Sequence, residues 1–208
     1  MIEYKQVKMM YLDGSNGKLY AIKRIKKQTI KKVRKPKDLI AKNVGDIVQF
    51  DTVTIQVAKE KTYFINAIDL ASRKAFSFPA KKLNSYNAML ALQEFEKVLK
   101  VEIKAIQTDN GLEHCKYFDE FTKNTNKKHY WNRPATPKSN CYIEPYNRTM
   151  QEDYVNHILH LLNSLTPAEL KALTNQYLIF YNNIRPHKSL QYQTPQSVYN
   201  KLMSFSHM

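Results

Sequence analysis

The chain of 208 residues is long enough for one sizeable hydrophobic core, and its 43% apolar and 12% aromatic content excludes a disordered protein. It has neither the run of about 20 apolar residues that spans a bilayer nor the apolar core of a signal peptide, which predicts a soluble intracellular protein. A formal net charge of +15 predicts affinity for a polyanion, with nucleic acid the first candidate and an anionic membrane surface the second.

The N-terminal arm carries most of this charge. Residues 1–45 hold thirteen Lys or Arg against three acids, a net of +10, and the density is highest in residues 23–37. This run has too few large apolar residues for a helix that lies on a membrane, so contact with the DNA phosphate backbone is the prediction. A solvated arm with no special role is the alternative. The predicted DNA-binding side chains of the arm are Lys23, Arg24, Lys26, Lys27, Lys31, Lys32, Arg34 and Lys35.

The elements that follow the arm alternate between strands and helices. Residues 47–57, 61–70 and 73–80 are rich in β-forming residues with short polar connections between them, which predicts an antiparallel meander. The later predicted elements, in chain order, are a helix from Asn84 or Ser85, strand 101–109, a helix at 116–124, strand 127–133, a helix from about residue 143 and a helix at 167–183. The order βββαβαβαα predicts an α/β domain with a mixed sheet in which the crossover strands are parallel.

Two carboxylates stand out by position. Asp51 lies in mid-strand, where aspartate has poor β-propensity and a buried charge would need a partner. Asp109 ends the fourth strand before an Asn-Gly turn, which predicts a place at the rim of the sheet. If the two strands are neighbours, the carboxylates converge and repel each other unless a cation lies between them. Oxygen ligation without a nearby His or Cys favours Mg²⁺ or Mn²⁺, and a pair of ions about 4 Å apart suits phosphodiester chemistry.

A third carboxylate comes from PKSNCYIEPYNRTMQED, residues 137–153, in which the acids are Glu144, Glu152 and Asp153. Glu144 is the catalytic candidate, because Asn140, Glu144 and Arg148 share one helical face opposite the apolar stripe. A proline is tolerated best in a first helical turn, so Pro145 predicts a helix that begins between Tyr142 and Glu144. That start would leave Asn140 in the preceding loop.

Two other groups compete for a metal or a catalytic role. Asp69 also ends a strand, but Ser72 and Arg73 directly after it predict a capped turn with a local ion pair. The second group is His114, Cys115, His129 and Cys141, whose spacings fit no common zinc pattern.

Three blocks resemble the DDE catalytic core that retroviral integrases share with bacterial insertion-sequence transposases: GDIVQFDTVTI, IQTDNGLEH and TPKSNCYIEPYNRTMQE. The segment YNNIRPHKSLQYQTPQSVY resembles the tail that follows the core in the transposases. By this resemblance the fold is RNase H-like with a mixed five-stranded sheet flanked by helices. The resemblance also implies that Asp51, Asp109 and Glu144 are the catalytic and metal-binding residues, with two Mg²⁺ or Mn²⁺ ions.

Members of this family cut DNA by hydrolysis at a transposon end and join the freed 3′-hydroxyl to target DNA. The resemblance therefore implies a transposase or integrase of the bacterial nucleoid in the cytoplasm, with transposon and target DNA as partners and a homodimer or higher multimer on DNA. Further predicted DNA-binding residues are Lys138, Asn140, Arg148, Arg185 and Lys188. The alternatives are a DNA-binding protein of the same fold that has lost transposition and another RNase H-like nuclease.

The resemblance also implies a domain organisation. Residues 1–40 are a basic arm and a remnant of a helix-turn-helix region, residues 41–165 the catalytic core, and residues 166–208 a helical extension. Two departures from the family pattern lie beside the proposed glutamate: Cys141 replaces the usual Gly or Ala, and Pro145 replaces the common Arg or Ser.

Overall fold

The computed structural model describes residues 32–133 and 140–204 in full, and only the backbone of residues 10–12, 19–21 and 205. The chain forms two compact units, residues 1–31 and 32–208. In the first unit, β1 (Met10–Leu12) and β2 (Leu19–Ala21) pair antiparallel. The helix-turn-helix remnant predicted in residues 1–40 falls mostly outside the described residues and stays a prediction.

The second unit is built on a five-stranded sheet in the order β5-β4-β3-β6-β7. Its strands are β3 (Val48–Val57), β4 (Glu60–Asp69), β5 (Ala75–Ala80), β6 (Ala105–Thr108) and β7 (Lys128–Trp131). The first three form the predicted antiparallel meander, and β6 pairs parallel with both β3 and β7, as the crossovers require. The strand predicted at 101–109 is shorter, because Ile103 and Lys104 donate their N–H groups to Glu96 and Gly45 on the approach.

Six helices complete this unit, together with two π-helical segments. They are α1 (Ser85–Leu99), α2 (Tyr117–Asn124), α3 (Ile143–Met150), α4 (Asn156–Ile158), α5 (Pro167–Ile179) and α6 (Pro195–Phe205), with π-helical turns at Gln151–Val155 and Phe180–Ile184. Helix α1 begins where predicted, because the Asn84 side chain accepts a hydrogen bond from the Asn87 N–H at 2.8 Å. Within the described part of the chain, none of these helices is both long and apolar enough to cross a membrane.

Alternation along β3 separates the core from the site. Phe50 is fully buried and packs edge to face against Phe95 of α1 and Phe118 of α2. Asp51 is the next residue and therefore points to the other face of the sheet, where α3 lies. Burying a phenylalanine side chain contributes about 1.5–3 kcal/mol, so the Phe50 cluster anchors the strand that carries Asp51.

Residues 32–40, which the sequence interpretation places in the arm, belong to the larger unit. Val33 forms a parallel bridge with Tyr130 at the edge of β7. The Arg34 guanidinium donates to the carbonyl oxygens of Trp131 and Asn132. This segment therefore extends the sheet beyond β7 through a single bridge.

Candidate active site

Asp51 on β3 lies close to Asp109, which directly follows the neighbouring strand β6. The parallel register of β3 and β6 pairs Gln49 with Gln107, and each aspartate follows its glutamine by two residues. Because side chains alternate along a strand, a step of two returns to the same face. The adjacency of the first and fourth core strands, on which the predicted convergence depended, is therefore present, and Asp109 is close enough to influence the titration of Asp51.

The environment of Asp51 disfavours its charged form. Burial raises the pKa of Asp51 from its ordinary value of 3.8 to about 6, and the negative charge of Asp109 acts in the same direction. Two hydrogen bonds oppose the rise in pKa: the Thr52 backbone N–H donates at 2.9 Å and Asn147 Nδ2 donates at 2.8 Å. A carboxylate can accept about four hydrogen bonds, so two donors leave acceptor positions on Asp51 free for a cation. A cation there would offset the unfavourable burial of the negative charge and its repulsion by Asp109.

Asp109 is held by its own turn. Its Oδ1 accepts a hydrogen bond from the Gly111 N–H at 2.9 Å, and His114 Nε2 lies 3.5 Å from the same oxygen. The His114 imidazole holds the pKa of Asp109 below its ordinary value, against the opposing effect of burial. The Asp109 side chain remains 46% exposed, so it can also be approached from solvent.

Glu144 is exposed in the first turn of α3. The helix begins at Ile143, as the proline predicted, with Pro145 in its first turn. Asn140 precedes the helix and accepts a hydrogen bond from Asn132 Nδ2, so the expected one-face arrangement of Asn140 with Glu144 does not hold. Glu144 lies one turn before Asn147, which ties α3 to Asp51.

The set of side chains with metal-ligand spacing differs from the predicted triad. Within residues 32–133 and 140–204, the group of three or more His, Cys, Asp or Glu whose ligand atoms all lie within 4.8 Å of one another is Asp109, Glu113 and His114. A histidine therefore lies near Asp109, within the same IQTDNGLEH block, whereas the sequence interpretation placed no histidine or cysteine near the motif. In the sequence, the residues of this group are close together: Glu113 is four positions after Asp109, and His114 is five positions after it.

A buried polar chain fixes Asn147 from behind. Its Oδ1 accepts from Asn66 Nδ2 at 2.8 Å, and Asn66 Oδ1 accepts from Ser77 Oγ at 2.6 Å. The Ser77 hydroxyl also contacts the Tyr146 hydroxyl at 2.5 Å. Asn147 is therefore held by buried hydrogen bonds while it orients Asp51. In the sequence, Asn147 is recognisable as a polar residue that interrupts the apolar stripe of α3.

Asp69 has the structural role that the sequence favoured. Its Oδ2 accepts hydrogen bonds from the Ser72 N–H at 2.8 Å and Oγ at 2.7 Å, and its Oδ1 accepts from the Gly45 N–H at 2.9 Å. Arg73, predicted to pair with Asp69, instead donates to the Leu70 carbonyl and lies 3.6 Å over the Tyr142 ring. The capped turn is confirmed and the ion pair is wrong.

A basic cleft of about 550 Å³ adjoins the two aspartates. Gln49 and Gln107, which precede Asp51 and Asp109 on the same face of the sheet, both line it. The cationic residues in its lining are Arg34, Lys35, Lys37, Arg73 and Arg133, and none of the described lining residues is a carboxylate. The cleft could therefore accept a polyanion beside the carboxylates.

The other predicted DNA-binding residues have varied surroundings. Lys32 Nζ donates to Asn110 Oδ1 at 2.9 Å, and Lys35 Nζ donates to the Leu39 carbonyl at 2.7 Å. Arg185 forms an ion pair with Asp153 at 2.9 Å. Arg148 and Lys188 are exposed. The remaining candidates lie outside the described residues, and they are Lys23, Arg24, Lys26, Lys27, Lys31 and Lys138.

Comparison with known proteins identifies the family. Two family profiles, each described as an integrase core domain, match residues 41–137 and 126–195. A protein of Spiroplasma virus SpV1-C74 described as an integrase, ORF3, is 28% identical over 85% of this chain. The retrovirus-related Pol polyprotein from transposon TNT 1-94 of Nicotiana tabacum is 27% identical over 80% of it. The chain spans 53% of the first relative and 13% of the second.

A solved structure extends the comparison to the fold. The catalytic core domain of HTLV-2 integrase, determined in complex with magnesium in a dimeric form, superposes with a TM-score of 0.60. The sequence identity is 20%, and the match covers 76% of this chain and 97% of that core. The chain therefore belongs to the integrase core domain family and has the RNase H-like fold of retroviral integrase catalytic cores.

Proposed function

We propose that this chain is a transposase or integrase that catalyses divalent-metal-dependent DNA cleavage and strand transfer at transposon ends. Asp51, Asp109 and Glu144 are its catalytic carboxylates in this proposal. The observation that carries it is that Asp51 on β3 and Asp109, directly after the neighbouring strand β6, lie close together, and that α3, the helix that bears Glu144, contacts Asp51. Membership of the integrase core family supports the assignment.

The donor set fits Mg²⁺ or Mn²⁺. Carboxylate oxygens are the ligands that such hard cations prefer, and the raised pKa of Asp51 marks a negative charge without sufficient compensation from the protein. Asp51, Asp109 and Glu144 would hold two ions. When bound, two such ions stabilise the attacking and leaving oxygens of an in-line displacement at phosphorus.

The side chains around the carboxylates orient them. Asn147 fixes one oxygen of Asp51, and the Gly111 N–H fixes one oxygen of Asp109. Glu144 is exposed at the start of α3, which leaves its carboxylate accessible to an ion or to DNA. Catalytic groups that are held in place before the substrate arrives need little reorganisation during the reaction.

Charge supports DNA as the partner. The net charge of +15 and the cationic cleft next to the carboxylates suit a phosphate backbone. We place the DNA contacts at the predicted arm residues and at Lys138, Asn140, Arg148, Arg185 and Lys188. Because a transposon has two ends and both must be joined to target DNA, the working form is a homodimer or a higher multimer on DNA. The dimeric form of the HTLV-2 core is consistent with this proposal.

The test is a cleavage and joining assay with the full chain. Labelled duplexes that end in candidate terminal inverted repeats are incubated with Mn²⁺ or Mg²⁺. The wild type should nick and join them, and Asp51→Asn and Glu144→Gln should each lower the rate by roughly 10³-fold or more. Glu152→Gln is the matched control, because Glu152 is an exposed acid two turns further along the same helical run, and it should retain the wild-type rate.

Two results would contradict the proposal. Wild-type activity in Asp51→Asn would remove the triad assignment. DNA binding by the wild type without cleavage in either metal would indicate a DNA-binding relative of the same fold that has lost transposition.

A further inference from the structure

His114 is a fully buried histidine whose one polar contact among the described residues is the 3.5 Å approach of Nε2 to Asp109 Oδ1. Neither Nδ1 nor Nε2 has a hydrogen-bond partner among the described residues. The ring packs edge to face against Phe118 with centroids 5.1 Å apart, and against His129 and Trp131 at 6.5 Å. An unsatisfied buried polar group costs about 1–3 kcal/mol and is uncommon, so its retention here calls for a ligand or another role.

The His114 ring lies beside two carboxylates. His114 Nε2 lies 3.5 Å from Asp109 Oδ1, and the ligand atoms of Asp109, Glu113 and His114 are all within 4.8 Å of one another. Ligand atoms at about 2.0–2.3 Å from one ion are separated by roughly 3–4.5 Å. The three side chains therefore need only small movements to close around a single ion.

Gly111 gives Glu113 the room to join this group. A Cβ at position 111 would collide with the Glu113 carboxylate, so the glycine allows this carboxylate to fold back over the turn towards Asp109. The nearby cation, Lys32, donates to Asn110 Oδ1 and lies 4.4 Å over the Trp131 ring. The positive charge of Lys32 also helps to lower the pKa of Asp109.

We propose that Asp109, Glu113 and His114 form a mixed carboxylate and imidazole site for one divalent transition-metal ion, such as Mn²⁺ or Zn²⁺. The site shares Asp109 with the proposed catalytic triad, and the inference rests on the proposed function only through that residue. Imidazole nitrogen binds Mn²⁺, Co²⁺ and Zn²⁺ readily, whereas Mg²⁺ prefers oxygen and water. The nitrogen ligand therefore gives this chain a preference for transition metals that the three carboxylates of the triad would not impose.

Pulsed electron paramagnetic resonance of the Mn²⁺-loaded full chain tests the nitrogen ligand directly. The wild type should show coupling to a histidine nitrogen, and ¹⁵N-histidine labelling should change that coupling. His114→Phe, which keeps an aromatic ring but removes both nitrogens, should lose the signal. His129→Phe is the matched control from the same aromatic cluster and should keep it.

Affinity measurements give a second readout without DNA. Isothermal titration with Co²⁺ should show binding weakened about 10-fold or more in His114→Phe, with Mg²⁺ binding changed by less than about threefold. Gly111→Ala keeps all three ligands and has a backbone φ of −58° that alanine accepts, yet it displaces the Glu113 carboxylate. Gly111→Ala should also weaken Co²⁺ binding. If His114→Phe does not fold, the Co²⁺ affinity of Gly111→Ala provides the test of the proposed site.

The inference is overturned if Mn²⁺ in the wild type shows no nitrogen coupling, or if Co²⁺ affinity is unchanged in His114→Phe or Gly111→Ala. These outcomes are separate from the fate of the proposed function. DNA cleavage that depends on Asp51 can stand while the nitrogen ligand fails, and nitrogen coordination can be present in a protein that does not cleave DNA.

Discussion

Two aspartates of the β3–β4 pair show how the same side chain can serve stability or chemistry. Asp69 ends β4 opposite Val48, is fully buried and receives three hydrogen bonds from Gly45 and Ser72. Asp51 lies three residues further along β3, receives two hydrogen bonds and lies near a second carboxylate. Burial raises the pKa of both. Each carboxylate offers about four acceptor positions. The two residues differ in how many of these positions accept hydrogen bonds from the described residues: three in Asp69 and two in Asp51.

Their neighbours explain this difference. The turn after Asp69 directs the N–H and hydroxyl groups of Ser72 back at one oxygen, which closes the site to other partners. Among the described residues, the Asp51 carboxylate receives hydrogen bonds from the Thr52 N–H and from the side-chain amide of Asn147. Counting donors around a half-buried or buried carboxylate therefore separates a capped turn from a site that can bind a cation.

The largest effect is expected from removing the Asp69 carboxylate. Asp69→Ala leaves the Gly45 and Ser72 donors buried without an acceptor and should lower the free energy of unfolding by about 3 kcal/mol or more. Asp51→Ala is the matched comparison and should cost less than about 1 kcal/mol, because its donors are fewer and closer to solvent. Equilibrium unfolding in urea with a chelator measures both. Equal losses would show that the donor count does not distinguish the two aspartates.

A smaller effect is expected in the pH dependence of stability, and it arises from His129. Burial lowers the pKa of His129 to about 3, and the charges of His114, Lys123 and Lys32 act in the same direction. Below about pH 6.5 the unfolded chain therefore binds a proton that the folded chain does not, so stability falls as the pH drops from 6.5 towards 3.

The size of the stability loss at pH 5 follows from the difference between the folded and unfolded pKa values of His129. His129 should account for a loss of about 2 kcal/mol relative to pH 7. His129→Phe keeps the stacking on Trp131, whose centroid lies 4.3 Å away, and should flatten this part of the pH dependence. Urea unfolding from pH 7 to pH 4.5 checks it; a variant with the wild-type slope would show that another group supplies the protons.

The smallest effect is a gain in stability. Asp51→Asn removes a buried charge that Asp109 repels, while an amide oxygen can still accept from Thr52 and Asn147. The metal-free variant should therefore be more stable than the wild type by about 1–2 kcal/mol at pH 7. Thermal unfolding with a chelator, then with excess Mg²⁺, tests this, because Mg²⁺ should stabilise the wild type more than the variant. A destabilised metal-free variant would mean that the Asp51 charge is compensated within the protein.

Local patterns predicted most of the fold. The meander, the order of strands and helices, the Asn84 cap and the helix start beside Pro145 all follow from periodicity and from residues a few positions apart. The strand at 101–109 was too long in the prediction, because hydrogen bonds to Gly45 and Glu96 divert its first residues. β-propensity alone carries no information about such distant partners.

The candidate site was predicted less completely. Asp51 was expected to need a partner, but Asn147 could not be identified because it lies 96 residues away. The sequence interpretation groups His114 with Cys115, His129 and Cys141 as a zinc site and not with Asp109. The place of His114 beside Asp109 depends on the short helical turn at Leu112–His114. A turn of this kind brings residues five apart together in a way that strand or helix periodicity does not anticipate.

The sequence by itself determined the element order, the basic charge, the resemblance to the DDE core and the three carboxylates that we propose as catalytic. Only the tertiary structure decided that β3 lies beside β6, that Asn147 orients Asp51, and that Glu113 and His114 converge on Asp109. The reason is physical. Hydrophobic period and capping act between near neighbours in the chain, whereas the spacing and charge of a site depend on how distant elements pack.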